Sequence, residues 1–363
     1  MKIQAIFCIV ISHVTQTLTS ENIYVPWNDY VIDISMASLD ITKIVLLLLR
    51  TFGSFGNTVF FISSVWFLLD NENVDVKKEL KMILDIWTIS VLICGIGWLF
   101  RYDNLSGKLL IKQLFPTFFG NNWYMTCYIL FYPAHKVINR TIKELNKREL
   151  LMMASSLAML YIFLNYVRKS FFASELILWM TIYFVIAYIK KYLSKHMEKI
   201  KTNILMIVVG FVGNAGIVAL TDIAGIKISF LRTKTMYWHN DCSPFIIVMA
   251  LGLFYVFKNF KFSNRYINYV SKLSLFIYVI HENEILRTYY RPLIWHKIFN
   301  DVGYRYLFFW IFGLSVAILA FGVLTSMIYH YTVEKTTNKV TDWLLPRIQH
   351  IYSLYEEKIL AMD

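Results

Sequence analysis

Residues 43–69 read KIVLLLLRTFGSFGNTVFFISSVWFLL, an apolar run with few charged side chains. A helix needs about 20 mostly apolar residues to cross the roughly 30 Å hydrocarbon core of a bilayer. Similar runs recur along the whole chain of 363 residues, which is 57% hydrophobic and has a mean hydropathy of +0.52. Soluble domains average about 45–50% apolar residues. The composition therefore predicts an all-α, polytopic membrane protein.

Ten runs of about 17–25 mostly apolar residues are candidate transmembrane helices. They lie at approximately 2–19, 43–69, 82–100, 122–142, 150–166, 174–189, 203–221, 244–257, 266–286 and 306–331. No internal repeat or Pro/Gly-rich linker divides the chain. We therefore expect one membrane-embedded domain at 1–333 and a short, amphipathic cytoplasmic tail at 334–363.

The net charge of +12 is explained by membrane topology rather than by nucleic-acid binding. If both termini are cytoplasmic, the inside segments carry more Lys and Arg than the outside loops, as the positive-inside rule requires. The four cysteines, Cys8, Cys94, Cys127 and Cys242, lack CxxC spacing. They predict neither a disulfide framework nor a metal site.

His13 lies inside the first candidate span, in the stretch CIVISHVTQ at 8–16. Counting about 1.5 Å per residue from Ile3 places it roughly 15 Å deep, near the middle of the bilayer. Gln16 and Thr17 follow at i+3 and i+4 and share its helical face. An ionisable side chain at this depth indicates a functional site, although a histidine bonded to a neighbouring helix is the structural alternative.

A second polar cluster, HENE at 281–284, directly follows the apolar run LFIYVI in the ninth span. It consists of His281, Glu282, Asn283 and Glu284, and Arg287 lies shortly after it. An ordinary helix end that enters water is one interpretation. That interpretation explains poorly why a histidine and two glutamates come directly after an apolar run.

Aromatic and amide side chains stand together in FGNNWYMTCYILFYP at 119–133. Asn122, Trp123 and Tyr124 are suited to bind a sugar, because pyranose C–H faces stack on rings and hydroxyls need polar partners. The aromatic belt found at membrane interfaces is an equally simple explanation.

The stretch KKELK at 77–81 lies between the second and third spans. Positive-inside topology alone explains the three lysines of this stretch, Lys77, Lys78 and Lys81. The same side chains could bind the phosphates of an anionic donor. No P-loop, HExxH, GxSxG or dinucleotide fingerprint is present in the sequence.

Four segments in this order resemble the membrane-bound acyltransferase 3 family. They are AIFCIVISH at 5–13, FGNTVFFISSVWFLL at 55–69, QLFPTFFGNNWYMTCYILFY at 113–132 and LSLFIYVIHENEILR at 273–287. Within the family, the chain is similar to members that decorate bacterial exopolysaccharide or O-antigen sugars. The resemblance implies a bundle of ten core helices. It also implies transfer of an acyl group, commonly acetyl, from a cytoplasmic coenzyme A thioester to a hydroxyl.

The resemblance also implies roles for particular residues. The family's essential histidine in the first span matches His13, and the basic residue that precedes it, normally an arginine, matches Lys2. The family's R-x-x-R pair matches Lys78 and Lys81. Lysine keeps the positive charge at these positions but loses the bidentate geometry with which arginine binds phosphate.

From these matches we expect His13 to act as general base and Gln16 to orient it or to stabilise the oxyanion. We expect Lys2, Lys78 and Lys81 to hold the donor phosphates. The residues expected around the acceptor are Asn122, Trp123, Tyr124, His281, Glu282 and Asn283. A covalent acyl-histidine intermediate is an open alternative.

The expected partners are acyl-CoA, membrane lipid and a polysaccharide or its lipid-linked sugar precursor, with no nucleic acid, no bound cofactor and no metal. The expected location is the bacterial inner membrane. A transporter, a sugar polymerase or a structural membrane subunit would also span the bilayer many times. A transporter often shows internal repeats and a polymerase a large external loop, and neither is evident in the sequence.

Overall fold

A computed structural model describes most of the chain. The described residues are 1–16, 41–101, 106–163, 175–232, 243–260, 263–287, 294, 297 and 306–360. Within these ranges the chain is 88% helical and contains no strand, which confirms the all-α fold. Thr17, predicted to share a face with His13, lies outside the described residues.

The helices are numbered here in chain order. They are α1 (Lys2–Gln16), α2 (Ile41–Leu68), α3 (Val76–Arg101), α4 (Gly107–Leu114), α5 (Trp123–Phe131), α6 (His135–Glu144), α7 (Lys147–Ile162), α8 (Glu175–Tyr188), α9 (Ser194–Met197), α10 (Ile200–Lys227), α11 (Ser229–Arg232), α12 (Pro244–Asn259), α13 (Arg265–Lys272), α14 (Ser274–His281), α15 (Leu307–Thr332) and α16 (Glu334–Leu360).

Five helical segments of the described residues are long and apolar enough to cross a membrane. They are Ile41–Leu68, Val76–Phe100, Glu175–Met197, Ile200–Lys227 and Leu307–Thr332. The third of them is α8 continued through a π-helical turn into α9. All five overlap predicted spans, which confirms the multi-pass membrane fold but not the count of ten.

Two of the predicted spans are each divided into two helices. The span at 122–142 becomes α5 and α6, which are separated around Pro133. Proline lacks the N–H that a continuing helix would use. The span at 266–286 becomes α13 and α14, which meet at Leu273. At about 1.5 Å per residue, α5 and α14 therefore cross only part of the bilayer.

Close packing against α2 fixes the position of α1. A Cβ added to Gly56 would lie 2.5 Å from the carbonyl oxygen of Ala5, and one added to Gly53 would lie 2.6 Å from Oγ of Ser12. Small residues let membrane helices approach closely in this way. Ser12 also donates a hydrogen bond to the carbonyl oxygen of Arg50 at 2.6 Å. The depth and rotation of the neighbouring His13 are set by these contacts.

An aromatic core holds α5 against α2 and α8. The ring centroid of Trp179 lies 4.5 Å from that of Phe61 and 5.4 Å from that of Phe131. Tyr124 packs edge-on against Phe61 at 4.9 Å. Edge-to-face aromatic pairs of this kind stabilise packing beyond the area that they bury. The start of α5 is therefore anchored inside the bundle.

The C-terminal segment is a helix of 27 residues, α16, that packs on α3. Lys81 lies 2.6 Å from a carboxylate oxygen of Asp85 and 2.6 Å from one of Glu334. The hydroxyl of Tyr329 donates to the other oxygen of Asp85 at 2.7 Å. These bonds join α3, α15 and α16 at one end of the bundle.

Candidate active site

His13 lies against the residues that end α14. Its Nδ1 atom is 2.7 Å from Oε1 of Glu282 and 3.3 Å from Nε2 of His281. The two imidazole rings stack with centroids 5.5 Å apart. The side chain of His13 is 21% exposed and that of Glu282 is 8% exposed. The two polar clusters that the sequence singled out thus form one site.

Hydrogen bonds define which ring nitrogens carry protons. Nδ1 of His281 lies 2.9 Å from the carbonyl oxygen of Ile277, which can only accept, so this nitrogen bears hydrogen. In the neutral ring, Nε2 of His281 is then an acceptor that faces Nδ1 of His13. The carboxylate of Glu282 is also an acceptor. Nδ1 of His13 faces these two acceptors and donates hydrogen, so in the neutral ring the lone pair is on Nε2.

Further bonds hold the residues that orient His13. Nη1 of Arg287 lies 3.4 Å from Oε2 of Glu282, on the side of the carboxylate away from His13. Asn283 donates from Nδ2 to Oε1 of Gln113 at 2.8 Å. A carboxylate that binds Nδ1–H of an imidazole fixes the ring and stabilises the imidazolium formed when the other nitrogen takes a proton.

A cavity of about 310 Å³ lies between α1, α2, α3, α5 and α14, and Tyr278 is its lining residue nearest to His281 in the chain. The exposed side chains of Lys2 and Lys78 line its outer part, and the buried rings of Tyr124 and Tyr278 line its inner part. The ring centroid of Tyr278 lies 5.8 Å from that of His281. The cavity therefore extends from two exposed lysines to Tyr278, whose ring lies beside that of the buried His281, whereas the partly exposed His13 does not line it.

A family model described as an acyltransferase domain matches residues 1–329. The chain belongs to the acyltransferase 3 family. No curated protein and no solved structure matches it. Together with its apolar helices, family membership makes the chain a multi-pass membrane acyltransferase.

The structure brings together some, but not all, of the residues predicted for the donor. Lys2 and Lys78 line one cavity of the acyltransferase, whereas Lys81 lies between two carboxylates at the junction of α3 and α16. Lys78 also lies over the ring of Tyr132, at 5.6 Å. Lys81 is therefore placed to hold helices together rather than to meet a phosphate in the cavity.

The residues predicted for the acceptor divide between two places. Tyr124 lines the same cavity as the lysines and shares a hydrogen bond of 3.2 Å with the hydroxyl of Ser64. Asn122 is buried directly before α5, and Trp123 is partly buried against Phe61. Asn283 is buried and directly follows His281 and Glu282 in the chain, so these three residues form the second place.

Gln16 ends α1, one helical turn beyond His13, and is partly buried. The role predicted for it beside the imidazole stays a prediction.

Sequence reasoning missed Gln113 and Tyr278. Gln113 is completely buried although it lies in a short helix, α4, that no predicted span included. Its position two residues before Phe115-Pro116 gave no signal of burial. Tyr278 lies inside the apolar run of the ninth span, where an aromatic side chain does not stand out from its neighbours. The four-residue spacing between Ser274, Tyr278 and Glu282 could have placed them on one helical face.

Three side chains of the candidate site, those of His13, His281 and Glu282, could also ligate a metal ion. The ligand atoms of His13, His281 and Glu282 all lie within 4.8 Å of one another. Nδ1 of His13 cannot both donate hydrogen to Glu282 and bind a metal ion. The expectation of no metal therefore stays a prediction, and it can be tested directly.

Proposed function

We propose that this acyltransferase moves an acetyl group from cytoplasmic acetyl-CoA to a hydroxyl of a cell-surface polysaccharide or its lipid-linked sugar precursor. The observation that carries the proposal is the contact of His13 with Glu282, close to a cavity lined by Lys2 and Lys78. In this arrangement His13 supplies the base, and Lys2 and Lys78 supply the cations that would bind a phosphorylated donor.

On the donor side, Lys2 and Lys78 supply positive charge for the phosphates of coenzyme A. Between them and the inner tyrosines, the cavity wall includes Ile9, Phe60 and Met82. An apolar wall suits the pantetheine arm and limits water, which would otherwise hydrolyse the thioester.

In the proposed reaction, Nε2 of His13 takes the proton from the acceptor hydroxyl as its oxygen attacks the thioester carbonyl. The tetrahedral intermediate then collapses, the carbon–sulfur bond breaks, and the thiolate leaves with the proton that the imidazolium returns. Glu282 stabilises the imidazolium during these steps. In this proposal Gln16 orients the imidazole or donates to the oxyanion. An acyl-histidine route would use the same nitrogen as nucleophile.

On the acceptor side, the proposed contacts come from Asn122, Trp123 and Asn283, while His281 and Glu282 hold the base. An apolar groove of about 550 Å³ between α3, α14 and α15 supports a lipid-linked acceptor. Ile280 and Ile285 line this groove on either side of Glu282 in the chain. A hydrocarbon chain in the groove would keep its sugar near the base, because only apolar groups are compatible with such a lining.

The proposed location is the bacterial inner membrane, with both termini in the cytoplasm. The excess of Lys and Arg in the inside segments supports this orientation. With it, Lys2 and Lys78 face the compartment that contains acetyl-CoA, and the opposite end of the bundle faces the surface glycan.

The test uses purified protein in liposomes, acetyl-CoA labelled in the acetyl group, and membranes from cells whose own copy of the gene is deleted. We expect release of free coenzyme A together with alkali-labile label in the glycan or glycolipid fraction. Succinyl-CoA, supplied in a parallel reaction, tests the acyl group. Label that crosses the membrane without ester formation would indicate transport and would reject the proposal.

A further inference from the structure

The helices α4 and α5 are joined by residues 115–122, in which Phe115, Phe118 and Phe119 are exposed and Asn122 is buried. Nε1 of Trp87 donates to the carbonyl oxygen of Leu114, the last residue of α4, at 3.0 Å. Trp87 lies about 16 Å along α3 from its start at Val76, so α4 ends beside the middle of α3. Within a bilayer, such a break in helical structure is tolerated where protein buries it or where it lines a polar cavity.

Gln113, in the last turn of α4, carries an unused hydrogen-bond donor. Its side chain is 0% exposed, and its Oε1 accepts from Nδ2 of Asn283. Oδ1 of Asn283 accepts from the backbone N–H of Ile285 at 3.0 Å, which fixes both carboxamides in one orientation. Nε2 of Gln113 has no hydrogen-bond partner among the described residues. A buried polar group left in this state costs about 1–3 kcal/mol.

Asn122, on the other side of the break, carries an unused acceptor. It is 2% exposed, and its Oδ1 has no partner within the described part of the chain. Its neighbour Asn121 donates from Nδ2 to the carbonyl oxygen of Lys112 at 2.9 Å, which ties the two sides of the break together. This hydrogen bond joins Asn121, the residue before Asn122, to Lys112, the residue before Gln113. The unused acceptor of Asn122 and the unused donor of Gln113 therefore belong to residues next to the two ends of this bond.

The surroundings of this break link it to the candidate active site. Asn283, which holds the carboxamide of Gln113, directly follows Glu282, which holds His13. Nζ of Lys112 also lies 3.0 Å from Oε1 of Glu284. Two contacts, Gln113 with Asn283 and Lys112 with Glu284, therefore hold the end of α4 against the segment that contains Glu282.

We propose that Gln113 is a further substrate-contacting residue, which donates from Nε2 to an oxygen of the acceptor sugar while Asn122 accepts from one of its hydroxyls. A hydroxyl both donates and accepts, so a paired donor and acceptor match a sugar. The inference rests on the proposed function and deepens it, because it assigns the acceptor subsite to the break between α4 and α5. Asn283 is then a positioning residue that holds Gln113.

The test compares Gln113→Glu with Gln349→Glu. The first change keeps the oxygen that accepts from Asn283 and removes the amide donor, and the second alters an exposed glutamine of α16. Each variant is produced in cells whose own copy of the gene is deleted, and the ester content of the surface glycan is measured. The donor reaction is measured on purified protein, as release of coenzyme A from acetyl-CoA when a small alcohol at high concentration replaces the sugar acceptor.

We expect Gln113→Glu to lower glycan acylation about 10-fold or more, in line with the loss of one buried hydrogen bond. The KM for acetyl-CoA, the release of coenzyme A and the melting temperature should match those of Gln349→Glu. Glycan acylation at the wild-type level would overturn the inference. If wild-type protein neither releases coenzyme A nor acylates the glycan, the proposed function fails instead.

A second variant excludes a purely structural role. Gln113→Met has similar length and no charge, and it is used if Gln113→Glu lowers the melting temperature. Loss of acceptor acylation with a normal donor reaction in Gln113→Met supports the inference. Equal loss of both reactions in both variants would mean that Gln113 only supports the fold, and it would overturn the inference.

Discussion

Nδ1 of His13, in α1, lies 2.7 Å from Oε1 of Glu282, at the end of α14. This contact joins two short polar stretches of sequence that are far apart in the chain. It also selects the proton-bearing nitrogen of His13, so that Nε2 holds the lone pair that a general base needs. The contact lies inside a membrane acyltransferase, and the proposed function assigns His13 the task of taking the proton of the acceptor hydroxyl.

The first prediction concerns Glu282. We expect Glu282→Gln to lower kcat about 10²–10⁴-fold, because a neutral amide neither fixes the tautomer of His13 nor stabilises the imidazolium. The matched control is Glu284→Gln, which removes the ion pair with Lys112 but leaves the contact with His13 in place. Steady-state release of coenzyme A in the presence of acceptor measures the effect. Equal activity of the two variants would show that Glu282 does not support the base.

The second prediction separates two lysines of α3. We expect Lys78→Ala to raise the KM for acetyl-CoA about 10-fold, because it removes a cation from the cavity. We expect Lys81→Met to leave that KM unchanged and to lower thermal stability, because it leaves Asp85 and Glu334 without their shared cation.

Lys77→Ala is the control for Lys78→Ala, since Lys77 pairs with Asp342 at an exposed site on the same helix. Donor titrations at two salt concentrations and melting curves in detergent measure both effects. A larger donor KM in Lys81→Met than in Lys78→Ala would contradict the assignment.

The third prediction concerns metal. If His13 donates hydrogen to Glu282, chelators should leave transfer unchanged, and purified protein should contain far less than about one zinc ion per chain. Elemental analysis before and after dialysis against EDTA provides the measurement. Stoichiometric zinc that is lost together with activity would instead show that His13, His281 and Glu282 ligate a metal.

The fourth prediction concerns pH and the junction of α3 with α16. Burial alone would raise the pKa of Glu334, but hydrogen bonds and charge from Lys81 and His330 outweigh it and lower the pKa below its ordinary value of 4.5. A carboxyl group whose pKa is lowered on folding stabilises the fold above its unfolded pKa. That stabilisation is lost as pH falls through the folded pKa.

We therefore expect the melting temperature to fall as pH drops below about 4.5, and to fall less in Glu334→Gln, which cannot lose this charge. Melting curves between about pH 6 and pH 3 in detergent measure the difference. A Glu334→Gln curve parallel to that of the wild type would contradict the role of this carboxylate.

The sequence predicted the helical membrane fold, the family and the two polar stretches around His13 and His281, because apolar periodicity and costly intramembrane charges leave clear patterns. It did not predict the division of the fourth span, because the run at 122–142, although more polar than most, has the length of a span, and Pro133 alone does not show where α5 ends. The burial of Gln113 in α4 depends on its tertiary contact with Asn283, which no local pattern encodes.

The candidate site divides in the same way. The residue type of His13 and its place in an apolar helix were readable from the sequence, but its bond to Glu282 depends on how α1 packs beside α14. Lys81 matched a basic motif by position, whereas the carboxylate of Glu334 that binds it comes from a distant helix. Motif spacing identifies residue types, and only packing decides which partner a charged side chain meets.

Replacement of His13 tests the central claim most directly. His13→Ala and the control His196→Ala, which alters an exposed histidine of α9, are compared in liposomes for ester formation from labelled acetyl-CoA. We expect His13→Ala to transfer about 10²–10⁴-fold more slowly than the control while it retains the wild-type melting temperature and affinity for coenzyme A. Transfer by His13→Ala within about twofold of the control would contradict the assignment of His13 as the base.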